Sequence, residues 1–479
     1  MFSNDDTIAA IATPPGAGGI GVIRISGAKA PHILARLFHR RQDEKPWQSH
    51  HLYIGQIIEP RSGLVLDEAL AVLMQAPHSY TREQVAELHC HGGPLLLSHI
   101  LTACVAAGAR LAERGEFTLR AFLNGALSLD EAEAVADLIS AKTAQAAQLA
   151  ARQLQGGLNQ RLAPLEEELL TILAQLSAGV DFPEEVDALA IQDILPRLIN
   201  LRREIAHILA GAASGRIYRE GYKTVLAGAT NVGKSSLLNR LLQMERAIVT
   251  EEAGATRDLL EEALNLDGLP ILLSDTAGLR ETTAVLTEAE TQGIKRSRAA
   301  LDEAQLILIV TDITQGVDPI AQALLADMTP RETEHNPALP QARQHCCLLL
   351  NKTDLLSPPE LKARLSEGAR HYPNHVILGV SAQTGAGIEE LLQYIKNTAM
   401  GGWAAEEQTP LLNNLRHQQA LLRADTALSE AITTLNSAFL PDLAIIDLEN
   451  AYQALGEISG KTVSEEVLAR IFADFCVGK

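Results

Sequence analysis

Several short stretches of this sequence combine residues suited to binding and cleaving a nucleoside triphosphate. Gly228-Ala-Thr-Asn-Val-Gly-Lys-Ser235 fits the G-x-x-x-x-G-K-S spacing. In that pattern glycines let backbone N–H groups close around phosphates at a helix N-terminus. Lys234 would reach the β- and γ-phosphates and the Ser235 hydroxyl would ligate Mg²⁺, with Asn231, Val232, Gly233 and Ser236 completing the loop. A chance glycine-rich turn would lack the apolar strand before it (Thr224 to Ala227) and the helical pattern after it (Ser235 to Leu242). Asp275-Thr276-Ala277-Gly278 follows a second apolar run, Pro270 to Leu273. Asp275 is placed to hold the magnesium through water, and the Gly278 N–H to sense the γ-phosphate. Asn351-Lys352-Thr353-Asp354 and Ser381-Ala382-Gln383 close two further apolar runs. A carboxylate at Asp354 can accept from both N1–H and the exocyclic amine of guanine, which adenine cannot supply. The ordered set reads as a GTP site.

Hydrolysis needs a positioned water. Leu279 stands directly after the D-x-x-G run, where Ras-type GTPases carry a water-orienting glutamine, and its side chain has no donor or acceptor. Asn231 could instead ligate a monovalent cation beside the phosphates, supplying charge where an arginine finger otherwise does. Glu281, Glu288 and Glu290 follow Leu279. Each is either a solvated loop charge or the group that holds the water.

The elements that must position these residues form three textures. From Asp6 to about Leu123, β-like runs (Gly21 to Ser26, Ala69 to Met74) alternate with Gly/Pro punctuation and one helical pattern, Gly93 to Gly108, predicting an α+β domain. Leu127 to about Gly215 is helical, with apolar residues at Leu165, Leu169, Leu170, Ile172, Leu173 and Leu176 and breaks expected at Gly156-Gly157 and Pro183. Helical character returns from about Leu411 to Phe475, so the two blocks are expected to pack as one discontinuous domain around an inserted α/β unit. The expected boundaries are 1–123, 124–220, 221–400 and 401–479. Thr329 to Gln344 reads as a surface loop.

Composition narrows the partners. The chain has 479 residues, 40 Lys+Arg and 59 Asp+Glu, a net charge of −19, which argues against broad binding to nucleic acid or anionic membrane. Any RNA contact is then local or shared with a more basic partner. Cys90, Cys104, Cys346, Cys347 and Cys476 are odd in number and lack CxxC spacing, against a disulfide scaffold or zinc ribbon. The first twenty residues lack a basic n-region, and no apolar run approaches the ~18 residues of a membrane span. A multidomain protein of the cytoplasm is expected.

Beyond these motifs the chain resembles the bacterial tRNA modification GTPases of the MnmE (TrmE) family along its whole length. The resemblance rests on Ala12-Thr-Pro-Pro-Gly16, Gly19-Ile-Gly-Val-Ile-Arg-Ile-Ser-Gly27, His91-Gly-Gly-Pro94, Arg114-Gly-Glu-Phe-Thr-Leu-Arg-Ala-Phe-Leu-Asn124, Ala132-Glu-Ala-Val-Ala-Asp-Leu-Ile139 and the terminal Phe475-Cys-Val-Gly-Lys479. It implies a multidomain α/β chain: a folate-binding N-terminal domain, a discontinuous helical domain and an inserted Ras-like P-loop G domain. It implies a homodimer whose G domains meet when K⁺ is present. On that template Asn231, Thr250, Glu252 and Ala255 fall at potassium positions, Ser235 and Thr256 at magnesium positions, and Glu251, Ala253 and Gly254 complete the nucleotide-facing loop. The family usually has a hydrophobic residue at Glu252 and Thr at Ala255; a carbonyl contact survives either change, a hydroxyl contact at Ala255 does not. Glu290-Thr-Gln-Gly-Ile aligns Glu290 with the water-positioning glutamate, with Glu288 as runner-up. A tetrahydrofolate derivative, in the 5,10-methylene or 5-formyl form, is implied at Arg24, Glu83, Ala126 and Lys479, where Ala126 replaces a usual lysine. The implied activity is wobble-uridine modification of certain tRNAs with an FAD-carrying partner, MnmG (GidA).

Three features stay open on their residues alone. Cys476 is either a nucleophile or a packed small hydrophobe. His89 and His91 share a strand face, but two imidazoles without a third ligand make a thin metal site. Asn414-Leu-Arg-His417 is read as helix packing or domain coupling. The competing function is a GTP-dependent ribosome-assembly or RNA-binding switch, which would ordinarily carry a basic module absent here.

Overall fold

The computed structural model describes residues 6–41, 46–181, 189–244, 262–275, 298–327, 344–401, 412–437 and 441–479. Its contacts form two compact units, one of residues 1–136, 152–194 and 430–479, the other of 137–151 and 195–429.

The first unit is built on a seven-stranded sheet ordered β3-β4-β5-β6-β2-β1-β7. Its strands are β1 (Ile8–Ile11), β2 (Gly18–Ser26), β3 (Phe38–Arg40), β4 (Leu52–Ile58), β5 (Val65–Met74), β6 (Val85–Gly92) and β7 (Arg110–Leu111). All neighbours run antiparallel except β1 with β7. Strand alternation divides the faces: Ile23 and Ile25 are buried, and Arg24 between them points the other way. The isoleucine face packs on α1 (Ala30–Leu37) and α2 (Pro94–Ala106) in a core that includes Ile33, Leu34, Leu88 and Ile100. Each such side chain contributes about 1.5–3 kcal/mol by leaving water. The Arg24 face receives Phe117 from α3 (Glu116–Leu123).

Five helices follow: α4 (Leu129–Ser140), α5 (Ala144–Leu154), α6 (Asn159–Asp181), α7 (Leu189–Ala210) and α8 (Ala212–Glu220). The expected break at Gly156-Gly157 separates α5 from α6, whereas Pro183 lies outside the described residues.

The second unit carries a six-stranded sheet, β13-β12-β11-β8-β10-β9. Its elements are β8 (Tyr222–Ala227), α9 (Lys234–Met244), β9 (Glu262–Leu266), β10 (Leu269–Asp275), β11 (Leu306–Asp312), α10 (Pro319–Asp327), β12 (His345–Asn351), α11 (Pro358–His371), β13 (Val376–Gly379) and α12 (Ile388–Ala399). All pairs are parallel except the β9–β10 hairpin. The parallel strands are near-continuous apolar runs because both faces are covered; every residue of β11 is buried. Such a sheet presents its ligand-binding loops at the carboxyl ends of the strands. Those ends carry the Gly228 loop, Asp275, Asn351 and Ser381.

The chain closes with α13 (Leu415–Ser437), α14 (Pro441–Ser459) and α15 (Glu465–Ala473). Within the first unit α14 packs along α6, burying Leu169, Ile172 and Leu176 on one side and Leu448 and Leu455 on the other. The last residues then run back onto the N-terminal sheet. Val477 bridges Arg114, the Phe117 N–H donates to the Lys479 carbonyl at 3.2 Å, and Gly478 sits so close to Ile11 that a Cβ would fall 2.4 Å from its carbonyl oxygen.

Candidate functional site

The phosphate loop is a turn between β8 and α9 that only particular residues can make. Asn231 takes a left-handed backbone (φ 65°), which asparagine tolerates better than most side chains, and its side chain is exposed. Gly233 has φ +98°, and a Cβ there would lie 2.3 Å from Asn351 Nδ2. Lys234 is buried, and its ammonium donates to the carbonyls of Gly228 (2.9 Å) and Ala229 (2.7 Å). Burial pulls Lys234 below the usual lysine range, against the Asp275 and Asp318 carboxylates, which hold it up.

Ser235 Oγ donates to Asp275 Oδ2 at 3.0 Å, while the buried Asp275 Oδ1 has no hydrogen-bond partner. A hydroxyl beside a carboxylate with an oxygen to spare is the hard-oxygen donor set that suits Mg²⁺. Ser236 is exposed on the same helical turn, and Val232 is buried.

Side chains tie the base end to the phosphate loop. Asn351 is 1% exposed: its Nδ2 donates to the Val232 carbonyl (2.8 Å) and its Oδ1 accepts from the Ala382 N–H (3.1 Å). It therefore ties the phosphate loop to the Ser381-Ala382-Gln383 loop. Ser381, fully buried, donates from Oγ to Asp354 Oδ1 at 2.5 Å and leaves the exposed Asp354 carboxylate oriented. Lys352 has φ 67° and donates to Asp312 Oδ2 at 2.7 Å. Burial works against the Asp312 carboxylate, but Lys352 and the Thr314 hydroxyl and N–H outweigh it and hold the carboxyl below its usual range. Thr353 is buried, its N–H donating to the Val380 carbonyl. Sequence reasoning missed Arg240 on α9, which donates to the carbonyls of Ala382 (3.1 Å) and Gln383.

Thr250, Glu251, Glu252, Ala253, Gly254, Ala255, Thr256, Thr276, Ala277, Gly278, Leu279, Glu281, Glu288 and Glu290 lie outside the described residues.

In the first unit the structure brings Arg24 and Lys479 together across the length of the chain. Arg24 Nε donates to Glu87 Oε1 at 2.8 Å from the neighbouring strand, and its guanidinium lies over the Tyr80 and Phe117 rings. Burial lowers the Lys479 pKa first and Arg24 lowers it further, with Glu87 and Cys476 opposing. Glu83 stands just before β6. It accepts from Ser26 Oγ (2.7 Å) and from the buried Arg120 (3.3 Å), inside a network that includes Asp6, Arg110 and Glu116. The carboxylate beside Arg24 and Lys479 is Glu87, on β6. Ala126 closes the turn after α3, its N–H donating to the Ala121 carbonyl.

His89 Nε2 pairs with Glu87 Oε2 (3.1 Å) and His91 Nδ1 with Asp67 Oδ1 (2.7 Å), so each imidazole has its own carboxylate. Among the described residues no group of three or more His, Cys, Asp or Glu could hold a metal ion. All five cysteines are free thiols, and Cys476 is exposed. Among the described residues no helix is long and apolar enough to cross a membrane.

Residues 7–126 match the family model of the GTP-binding protein TrmE N-terminus, and residues 129–476 match that of the MnmE helical domain. The chain belongs to the MnmE family of tRNA modification GTPases. The tRNA modification GTPase MnmE of Heliobacterium modesticaldum is 42% identical, covering 99% of each chain, and that of Symbiobacterium thermophilum is 44% identical over 99% of this chain and all of its own. Among solved structures, Aquifex aeolicus Era bound to GDP and AlF4⁻ aligns with 43% of this chain and 65% of its own, at 23% identity and a TM-score of 0.28. Membership of the MnmE family makes the nucleotide a guanine nucleotide with its Mg²⁺, and gives the inserted P-loop domain and the multidomain α/β organisation expected from the sequence.

Proposed function

We propose that this GTPase is activated by K⁺ and acts as a homodimer with a flavoprotein partner of the MnmG type to modify the wobble uridine of certain tRNAs in the cytoplasm. The observation that carries the reading is the convergence of Asn231, Lys234, Ser235 and Asp275 at one end of the site and Asp354 and Ser381 at the other. Lys234 would leave the loop carbonyls for the β- and γ-phosphates. Ser235 and Asp275 would hold Mg²⁺, which neutralises charge on the phosphate oxygens when bound. The exposed Asn231 amide suits a monovalent cation, with Thr250, Glu252 and Ala255 completing that set, Thr256 joining Ser235 on Mg²⁺, and Glu290 orienting the water.

A tetrahydrofolate derivative held at Arg24, Glu83, Ala126 and Lys479 belongs to the same proposal, and the Glu87 carboxylate beside Arg24 and Lys479 supports it. A carboxylate accepts from a pterin's amino group and ring N–H, and the two cations suit the anionic tail. Cys476, an exposed thiol three residues before Lys479, is proposed as a catalytic residue of this site. Support for the homodimer comes from the sheet: Leu52, Ile54 and Leu70 are exposed on neighbouring strands, on the face that also carries Glu87 and Arg24. The division into 1–123, 124–220, 221–400 and 401–479 belongs to the same proposal.

Hydrolysis compared in KCl and NaCl tests the cation: a several-fold higher rate in KCl is expected, lost in Asn231→Lys. Equal rates would remove K⁺ from the mechanism. Nucleoside analysis of tRNA from a deletion strain tests the pathway, since unaltered wobble uridines would favour an RNA-assembly switch.

A further inference from the structure

Helix α9 opens at Lys234 and Ser235, at the phosphate end of the site, and carries Arg240 further along. The Arg240 guanidinium donates from Nε to the Ala382 carbonyl at 3.1 Å and from a terminal nitrogen to the Gln383 carbonyl. We propose that Arg240 is the positioning residue that sets the base-recognition loop, and with it the Asp354 carboxylate, for guanine. The inference rests on reading Asp354 and residues 381–383 as the base site.

Three observations lead there. The loop satisfies much of its own backbone: the Ser381 N–H donates to the Ala386 carbonyl and the Gly385 N–H to the Ser381 carbonyl. Its inner side is fixed by Asn351, which accepts from the Ala382 N–H. The Ala382 and Gln383 carbonyls are what Arg240 takes, and a planar guanidinium fork matches two successive carbonyls where a single ammonium does not. Carbonyl and N–H point in opposite directions across a trans peptide, so clamping the Ala382 carbonyl towards α9 also fixes the direction of the Gln383 N–H. The same loop carries Ser381, whose hydroxyl orients Asp354. Arg240 therefore acts on selectivity through the loop, and mechanically joins the base end to the helix that begins at the phosphates.

Arg240 is half-buried and the Gln383 contact is exposed, so water can replace the guanidinium at little cost to folding. The expected signature is a loss in binding, not in chemistry. In the full-length protein, Arg240→Ala should weaken GDP and GTP binding about tenfold, equivalent to about 1.4 kcal/mol. It should narrow the preference for GTP over ITP, which lacks the exocyclic amine, and leave kcat at saturating GTP within about twofold. Arg240→Lys should fall between the two. Wild-type affinity together with an unchanged GTP/ITP ratio in Arg240→Ala would overturn the proposal, and so would a fall in kcat at unchanged KM. Should Arg240→Ala fail to fold, Arg240→Gln decides on the same two readouts, because its single amide reaches one carbonyl at most. Asp354→Asn, measured alongside, tests the underlying reading: it should move preference from guanine to xanthine nucleotides. If it does so while Arg240→Ala changes nothing, only the Arg240 proposal fails; if guanine preference survives Asp354→Asn, the base-site reading fails.

Discussion

The Asn351 side-chain amide spans two loops, donating to the Val232 carbonyl, 119 positions away, at 2.8 Å while accepting from the Ala382 N–H. Its position in the N-K-x-D run suggests a base contact, yet its geometry makes it a brace. Removing it leaves a buried carbonyl and an N–H unpaired, at about 1–3 kcal/mol each. Asn351→Ala should therefore weaken GDP and GTP equally, by about tenfold or more. Titration with a fluorescent GDP and GTP analogue pair measures this; a loss confined to one of them would contradict a bracing role.

Gly233 belongs to the same brace. At φ +98°, with a Cβ position 2.3 Å from Asn351 Nδ2, alanine there must push the amide off the Val232 carbonyl. Gly233→Ala and Asn351→Ala should thus damage one shared contact, and their combined effect on nucleotide affinity should be less than the sum. A coupling of about 0.5 kcal/mol or more is expected from a double-mutant cycle. Strict additivity would mean that the glycine is needed for its backbone alone.

What could be read from the sequence follows the range of the interactions involved. β8, β10 and β12 were legible because parallel strands covered on both faces are short apolar runs, and the loops after them carry residues whose chemistry is specific to phosphate or guanine. Arg240 was not legible, since an arginine on an amphipathic helix reads as a solvated face until the loop beside it is known. The ion-pair partner of Arg24 was not legible either. Which carboxylate meets Arg24 depends on the cross-strand register of β2 with β6, which pairs Arg24 with Glu87. The C-terminal segment was recognised by its residues, but its return onto β1 and the start of α3 is a tertiary fact.

Ser235 and Asp275 give a metal-dependence prediction. The Ser235 hydroxyl lies 3.0 Å from one Asp275 oxygen while the other is buried without a partner. Ser235→Ala removes one hard ligand and should raise the Mg²⁺ concentration for half-maximal GTP hydrolysis about tenfold. GDP binding in the presence of EDTA should hardly change. An unaltered Mg²⁺ requirement would place the metal on other residues.

Asp137 joins the two crossings into the nucleotide-binding part of the second unit. Its Oδ1 accepts from Arg219 Nε at 2.7 Å, just before β8, and its Oδ2 from Asn413 Nδ2 at 3.4 Å, after the α/β segment ends. Asp137→Asn keeps the shape and removes the charge, so a modest loss of stability, about 1 kcal/mol or less, is expected. The change should loosen these two contacts without touching the phosphates. GTP hydrolysis should then stay within about twofold of wild type while tRNA modification in a complemented deletion strain falls. Parallel loss of both activities would instead indicate damage to the nucleotide site.

Lys479 supplies the pH dependence. Desolvation and Arg24 hold its ammonium below the usual lysine range, with Glu87 and Cys476 in partial opposition. An anionic ligand tail beside it would restore the proton, so its pKa in the complex lies above that in the free protein. By linkage, binding takes up a proton between those two values. Affinity for a folate should be full below the lowered pKa of the free protein and decline as pH rises through it. Calorimetry in buffers of different ionisation enthalpy should register net proton uptake in the alkaline range, and Lys479→Met should abolish it while weakening binding at neutral pH. Proton release, or uptake that persists in Lys479→Met, would assign the titrating group elsewhere and leave the C-terminal lysine a structural anchor only.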